Sequence, residues 1–426
     1  MQHNRVYVVG MGVVSPLGNS VDTMWQNLLN GVSGTVLNTF STYLHATGDK
    51  ELNPAYKELL NLVTAEVKEF NPADWMDRKT IRREDPFCWF ALAAAKQAMA
   101  HARLETLLNL RRTAVVIGSG IGGLTTLEHE HTTLMQKGPG RVSPFLVPRM
   151  MPNAATSIVA REFNCNGPSI TPVSACATGA DAIGEGYRLI RNGLADIVIA
   201  GGAEAVITPV SLAGFRNMEA LAKRTDDPAR RSRPFDRDRD GFVMGEGAGV
   251  MILASPYSVH AYDLTPLAEV AGNARTQDAH HITAPHPEAL HATRVIKMAL
   301  RDASISPDDV VYINPHGTGT QINDPIEALA ISNVFGTRTA SIPISSSKSM
   351  LGHMVGAAGA VESIICVMTI LEGKAHPAIN LDNIDEKCAM LDHIIGQPRA
   401  IPPGAILKIS LGFGGSNAAL VFLPVS

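Results

Sequence analysis

The stretch Thr171-Pro-Val-Ser-Ala-Cys-Ala-Thr-Gly-Ala180 decides how this chain is read. A β-favouring run over 169–173 stops at small residues, and Cys176 follows at once. Ala180, Ile183, Tyr187 and Ile190 then recur at helical spacing, which predicts Cys176 at or near the first turn of a helix. Unpaired N–H groups and the positive end of the helix dipole favour an anion there, so the thiol should ionise more readily than in solution. The small neighbours Ala175, Ala177 and Gly179 leave room for a substrate carbonyl at the sulfur. Taken alone, Cys176 also fits a buried small hydrophobe.

Outward from this stretch, strands and helices alternate on both sides. Residues 6–12 and 113–117 read as buried strands running into glycine turns, 21–30 and 87–100 as helices, and 196–200 and 245–253 as further strands. A second series follows, with strands at 267–271, 310–314 and 342–345, helices at 288–303 and 357–371, and a hairpin from 405–410 and 418–423. Each half has a glycine- and alanine-rich helix start just after a strand. The chain is therefore read as a duplicated α/β architecture with buried sheets, one half over 1–257 and the other over 258–426. Residues 40–80 are polar, irregular and the least interpretable part.

Composition narrows the function classes. The 426 residues are 45% hydrophobic and 18% charged, as in a compact globular protein. A net charge of −4 argues against general nucleic-acid binding, so any basic docking patch must be local. The five cysteines show no CxxC or paired spacing, which fits a reducing compartment. The N-terminus leads straight into a strand-like run without a signal-peptide pattern, and the uncharged apolar segments are too short for a membrane span. A cytoplasmic protein without membrane attachment is expected.

Several motifs read as structural. Gly118-Ser-Gly-Ile-Gly-Gly123 lacks the acidic residue that a dinucleotide loop needs at the end of a second strand, so a tight turn is the better reading. Glu128-His-Glu-His131 has no further metal-ligand pattern and reads as polar side chains at the surface; no metal is expected. The alternating charges of 230–240 run into a core strand and read as a structural ion-pair loop. Arg78, Lys79, Arg82 and Arg83 fit either a solvated helix start or a docking patch for an acidic partner.

Three glycine-rich stretches in the second half carry chemistry, each just past a strand, where α/β proteins place their sites. They are Asn314-Pro-His-Gly-Thr-Gly-Thr320, Ser345-Ser-Ser-Lys-Ser-Met-Leu-Gly-His353 and Gly412-Phe-Gly-Gly-Ser-Asn417. Glu362 is the lone charge in an apolar helix; burial would cost several kcal/mol unless it is paired, and Lys348 is the natural partner. A thiolate that accepts an acyl group, backbone N–H groups of Cys176 and Phe413 for the oxyanion, and His316 and His353 to polarise a second thioester suit acyl transfer at carbon. A cysteine protease would leave the second histidine and Lys348 without a task.

Together these motifs resemble the β-ketoacyl-acyl-carrier-protein synthases over nearly the whole chain, most closely the type II elongating enzymes (KAS II). The resemblance implies a thiolase fold, two similar halves in a five-layered αβαβα sandwich. It implies a decarboxylative condensation of an acyl-enzyme thioester with a malonyl carrier in fatty-acid elongation. A ketosynthase of a type II polyketide or polyene pathway is the alternative. Cys176 would be the acyl acceptor, His316 and His353 the pair acting on the malonyl thioester, and Lys348 and Glu362 their supporting charges. Phe413 falls on the gating phenylalanine, Asp278 and Thr283 on the loop that moves with it, and Thr318 and Thr320 on the pantetheine arm. Arg78, Lys79, Arg82 and Arg83 match the region that docks acyl carrier protein. No cofactor is implied beyond the carrier's phosphopantetheine. A homodimer is expected, a heterodimer with a chain-length-factor-like subunit being the other possibility. Pro315, Leu411 and the long segment near 43–70 depart from the family pattern and leave the acyl substrate open.

Overall fold

The computed structural model describes residues 4–104, 110–223 and 227–425. Met1 to His3, at the head of the N-terminal reading, lie outside them. Long apolar runs with β-branched residues form strands buried on both faces, as in Ile197–Glu204, where every residue is buried. Eleven strands form the main sheet: β1 (Tyr7–Val14), β2 (Thr113–Gly118), β3 (Ser169–Ile170), β4 (Ile197–Glu204), β5 (Gly247–Ala254), β6 (Ala268–Gln277), β7 (Val310–Asn314), β8 (Pro343–Ile344), β9 (Asp392–His393), β10 (Ala405–Gly412) and β11 (Ser416–Leu423). Their order is β9-β8-β7-β10-β11-β6-β1-β5-β4-β2-β3.

This order contains the same unit twice. In the first half β2 pairs in parallel with β3 and β4, and β5 lies antiparallel to β4 and β1. In the second, β7 pairs in parallel with β8 and β10, and β11 lies antiparallel to β10 and β6. The halves meet where β1 and β6 pair antiparallel, Tyr7 opposite Glu269.

The helices α1 (Arg78–Arg83), α2 (Pro86–His101), α3 (Thr178–Arg191), α4 (Leu290–Asp302), α5 (Asn323–Phe335) and α6 (Ala358–Glu372) matter most for the site. The apolar faces of α3 and α6 share one core with both halves. A second core lies under α2, and a third under α4 and α5. The layers are thus helix, sheet, helix pair, sheet, helix. The segment Val355–Glu372 is apolar and long enough to cross a bilayer, but 83% of it is buried inside the protein, between the sheets.

The helix pair sits close because both partners start with glycine. A Cβ on Gly179 would fall 2.5 Å from Ala360 N, and one on Gly359 would fall 2.5 Å from Ala180 N. Just upstream, Ala175 and Val355 hold matching left-handed backbone angles, φ 49° and 44°. The duplication therefore extends to the turn that carries Cys176, whose counterpart in the second half is Gly356.

The charged 230–240 loop is an internal clamp. Arg233 meets Asp236 at 3.2 Å and Asp382 at 3.0 Å, and buried Arg239 meets Asp385 at 2.6 Å. Glu128 and Glu130 correct the surface reading. Both are buried, because their carboxylates accept backbone N–H groups, Val210 on Glu128 and Ser143 on Glu130.

The irregular 40–70 region is ordered around two buried carboxylates. A helix Ser41–Thr47 and a 3-10 turn Pro54–Asn61 lead into strand Val63–Ala65, which pairs with Met244–Gly245. Glu66 accepts from Thr39, Ser41 and Thr64, and Glu246 from the Thr42 hydroxyl (2.6 Å) and Val67 N–H (3.2 Å). Neither meets a cation among the described residues. Burial and the nearby Glu66 charge push the Glu246 carboxyl up to about 8. An acid whose pKa is raised by folding loses stability as pH climbs from its unfolded value through its folded one. Glu246→Gln keeps an acceptor for both donors, so it should match the parent near pH 5 and exceed it by a few kcal/mol near pH 8, on the order set by the shift. Urea unfolding at both pH values checks this; parallel pH profiles would contradict it.

Candidate active site

Cys176 lies in the 3-10 turn Ala175–Ala177 that leads directly into α3, as its spacing required. His316 follows β7, and His353 follows the short helical turn after β8. The structure brings them together: ligand atoms of Cys176, His316 and His353 lie within 4.8 Å of one another, and all three residues are buried. The two imidazoles meet edge to face with centroids 5.3 Å apart. They form the base of a cavity of about 410 Å³. Phe413, Asp278, Thr283, Thr318 and Thr320 also line it, so all five substrate-contact candidates reach one space. Its remaining walls are largely apolar, including Ile121, Phe215, Phe242 and Leu411.

The thiol corrects one expectation. Burial pushes Cys176 up to about 11, outweighing the opposing pull of the Phe413 and Cys176 backbone N–H groups and of the Lys348 charge. Desolvation outweighs the helix terminus because the two imidazoles beside the thiol carry no charge. His316 and His353 are both held well below the usual imidazole value, first by burial and then by the charge of Lys348. The resting site is therefore a thiol beside two neutral imidazoles.

Lys348 and Glu362 stand behind the cavity, both buried, and form the ion pair expected from the sequence. A third charge joins them. Lys408, buried in β10, reaches the other Glu362 oxygen at 2.9 Å. Two ammonium groups thus share one carboxylate, leaving positive charge behind the imidazoles. The Cys176–His316–His353 set has metal-ligand types, but this charge opposes a cation and favours an anion there.

Further carboxylates position the loops, and the sequence reading passed over them. Glu327 on α5 accepts the His316 and Gly317 N–H groups at 2.6 and 2.7 Å, and burial lifts it to about 7. Asp324, one turn earlier, takes the Thr318 and Gly319 N–H groups, each at 3.2 Å. Glu204 accepts from Ser119, Gly120, Ile121 and Gly356, so the 118–123 glycine turn wraps an internal carboxylate and not a cofactor phosphate. Glu327 shares its helix with Asp324, and Lys408 is a single charge in a strand, so neither stood out as Glu362 did. His353 is fixed through its backbone: its N–H donates to Val243 O (2.7 Å) and its carbonyl accepts from Gly245 N (2.9 Å).

On the gate side, Phe413 stacks on Phe215 with centroids 6.5 Å apart. Asp278 accepts from Asn417 Nδ2 (2.7 Å), and its N–H donates to Gly415 O (2.9 Å). The loop carrying Asp278 and Thr283 is therefore bonded to the Phe413 segment. Arg78, Lys79, Arg82 and Arg83 lie away from the cavity on α1, capped by Asp77. All four are exposed, and none forms an ion pair among the described residues.

Comparison with known proteins shows the family. Residues 3–257 match the family model "Beta-ketoacyl synthase, N-terminal domain", and residues 267–382 match "Beta-ketoacyl synthase, C-terminal domain". The chain is 44% identical to a 3-oxoacyl-[acyl-carrier-protein] synthase 2 of Synechocystis, covering 99% of this chain and 98% of that one. It is 42% identical to the protein of that name from Coxiella burnetii, covering 100% of both. Among solved structures, a type II polyketide ketosynthase in complex with its acyl-carrier protein superposes with TM-score 0.88 at 32% identity, covering 100% of both chains. The ishigamide ketosynthase/chain length factor gives the same TM-score, identity and coverage.

The charge cluster sets a testable order of stabilities. Glu362→Gln strands two buried ammonium groups and should cost at least the roughly 3–5 kcal/mol of a broken buried pair. Lys408→Met leaves Lys348 and Glu362 balanced and should cost clearly less. Urea titrations of the two variants would contradict this if Lys408→Met were the more damaging.

Proposed function

The chain belongs to the β-ketoacyl synthase family and has its thiolase fold, and from that premise we propose that it is a 3-oxoacyl-[acyl-carrier-protein] synthase acting in fatty-acid elongation. The convergence of Cys176, His316 and His353 at the base of one largely apolar cavity carries the reading. In the first step the Cys176 sulfur attacks the acyl-carrier thioester. The N–H groups of Cys176 and Phe413 take the oxyanion, and the carrier leaves with the thiol proton. In the second, malonyl carrier loses carbon dioxide. The two neutral imidazoles donate hydrogen bonds to its thioester oxygen as the enolate forms. The enolate carbon attacks acyl-Cys176, the carbon–sulfur bond breaks, and 3-oxoacyl carrier departs while the Cys176 thiolate takes a proton from water.

Thr318 and Thr320, whose hydroxyls lie 3.1 Å apart on the cavity wall, suit the amide groups of a pantetheine arm. No resident cofactor is needed for these steps. Phe413, held through Asp278, is placed to admit the acyl chain. Polyketide or polyene synthesis is the second reading, favoured by the two ketosynthase structures above and by Leu411 on the cavity wall.

A second copy of this chain is the proposed partner on one face. Helix 124–137 and segment 143–151 pack together and leave Leu134, Met135, Phe145 and Val147 exposed, near the edge-strand end of the sheet. A chain-length-factor-like subunit could occupy the same face. The free thiols of all five cysteines support a cytoplasmic setting.

Two experiments test the reading. Cys176→Ala should abolish covalent labelling from radiolabelled acyl carrier protein; a variant that still acylates would remove Cys176 from its role. Reversing Arg78, Lys79, Arg82 and Arg83 to glutamate should raise KM for carrier-bound substrate at least about tenfold, flatten its salt dependence and leave kcat nearly unchanged. An unchanged KM would place carrier docking elsewhere.

A further inference from the structure

The loop between β6 and α4 and the first turn of α4 carry four histidines in Gln277-Asp-Ala-His-His-Ile-Thr-Ala-Pro-His-Pro-Glu-Ala-Leu-His291, and the proposed condensation uses none of them. His281 is turned into the loop, where its Nδ1 accepts the N–H groups of Thr283 and Ala284, both at 3.1 Å. The other three stand in file at the surface. His280 and His286 have ring centroids 5.1 Å apart, and His286 and His291 have centroids 5.8 Å apart at 86°. Two imidazoles bound tetrahedrally to one zinc ion at about 2.0–2.1 Å hold their centroids about 5 Å apart. The first pair already has that spacing, and the second needs a shift of well under an ångström.

We propose that His280, His286 and His291 form a surface binding site for a borderline divalent transition-metal ion of the zinc class, with His286 as the central ligand. Imidazole is the ligand type these ions share. The rings stand in a row as placed, so closure requires His280 and His291 to turn about their side-chain torsions. His280 is exposed and His291 half-exposed, which leaves them free to do so. The Nδ1 of His286 accepts a long bond from Glu288 N–H (3.3 Å), which ligation through that edge would replace. The His286 N–H donates to Asp278 Oδ2 (2.9 Å), and Gly414 N–H donates to Ile282 O (2.8 Å). A metal here would therefore tether the loop bonded to the Phe413 segment, beside the cavity and outside it.

The test uses the full chain with Cys176→Ala, which removes the thiol of the buried Cys176–His316–His353 set as a competing ligand. The readouts are metal binding and amide exchange, so the result stands whatever reaction the parent performs. Zinc chloride titrated by calorimetry should show one saturable equivalent, and Cu²⁺ in its place should give electron paramagnetic resonance with nitrogen couplings from at least two imidazoles. Adding His286→Ala should weaken zinc at least about tenfold. Hydrogen exchange serves as a second measure should that variant not fold: zinc should slow exchange of amides 279–291 in the Cys176→Ala protein. No saturable zinc site, an affinity loss below about threefold in His286→Ala, or unchanged exchange over 279–291 would each overturn the assignment.

Discussion

The structure depends on two helices lying backbone to backbone at its centre. Gly179 against Ala360 and Gly359 against Ala180 leave no room for a side chain at either glycine. This contact places the start of α3, and so Cys176, next to the turn at 355–357. The stretch holding His353 runs directly into that turn. Separate cavities would have needed nothing of the kind. One shared cavity needs the helix starts to touch, because Cys176 comes from the first half and both imidazoles from the second.

Electrostatics builds on that geometry from behind. A buried ion pair contributes little net stability, since desolvation cancels most of the attraction. Two lysines on one carboxylate are harder still to justify as stabilisers. Their effect falls on the neighbours: burial holds His316 and His353 down, and the charges of Lys348 and Lys408 add to it at both. The loops are then secured by carboxylates that take backbone N–H groups, Glu327 under His316 and Glu204 under Gly120 and Gly356. Such bonds fix the backbone without placing another titrating side chain in the cavity.

Most of this frame was legible in the sequence because it rests on local patterns. Continuous apolar runs marked the strands, 3.6-residue spacing marked α3, and a single glutamate in an apolar helix announced its lysine partner. The duplication was visible as two glycine-rich helix starts. The rest was hidden for physical reasons. Lys408 looked like an ordinary charge in a strand, since no local rule says that its side chain points at Glu362. The Glu66–Glu246 pairing joins residues 180 positions apart through hydroxyls and amides, which leave no periodic trace. The thiol was misjudged because the helix terminus is a local feature of sequence, whereas desolvation is set by everything packed around the sulfur.

That misjudgement bears on how the site works. A thiolate at rest would repel the carboxylate of an arriving malonyl group, and a charged imidazole could not act as a neutral hydrogen-bond donor. With the thiol near 11 and both imidazoles uncharged, Lys348 and Lys408 on the single Glu362 carboxylate set a positive charge behind the imidazoles. That field attracts an anionic substrate group into an apolar space. Once there, the carboxylate is poorly solvated, and losing it as carbon dioxide moves the charge onto an enolate oxygen that two imidazole N–H groups can meet. Burial thus slows the first chemistry, thiol ionisation, and favours the second, decarboxylation.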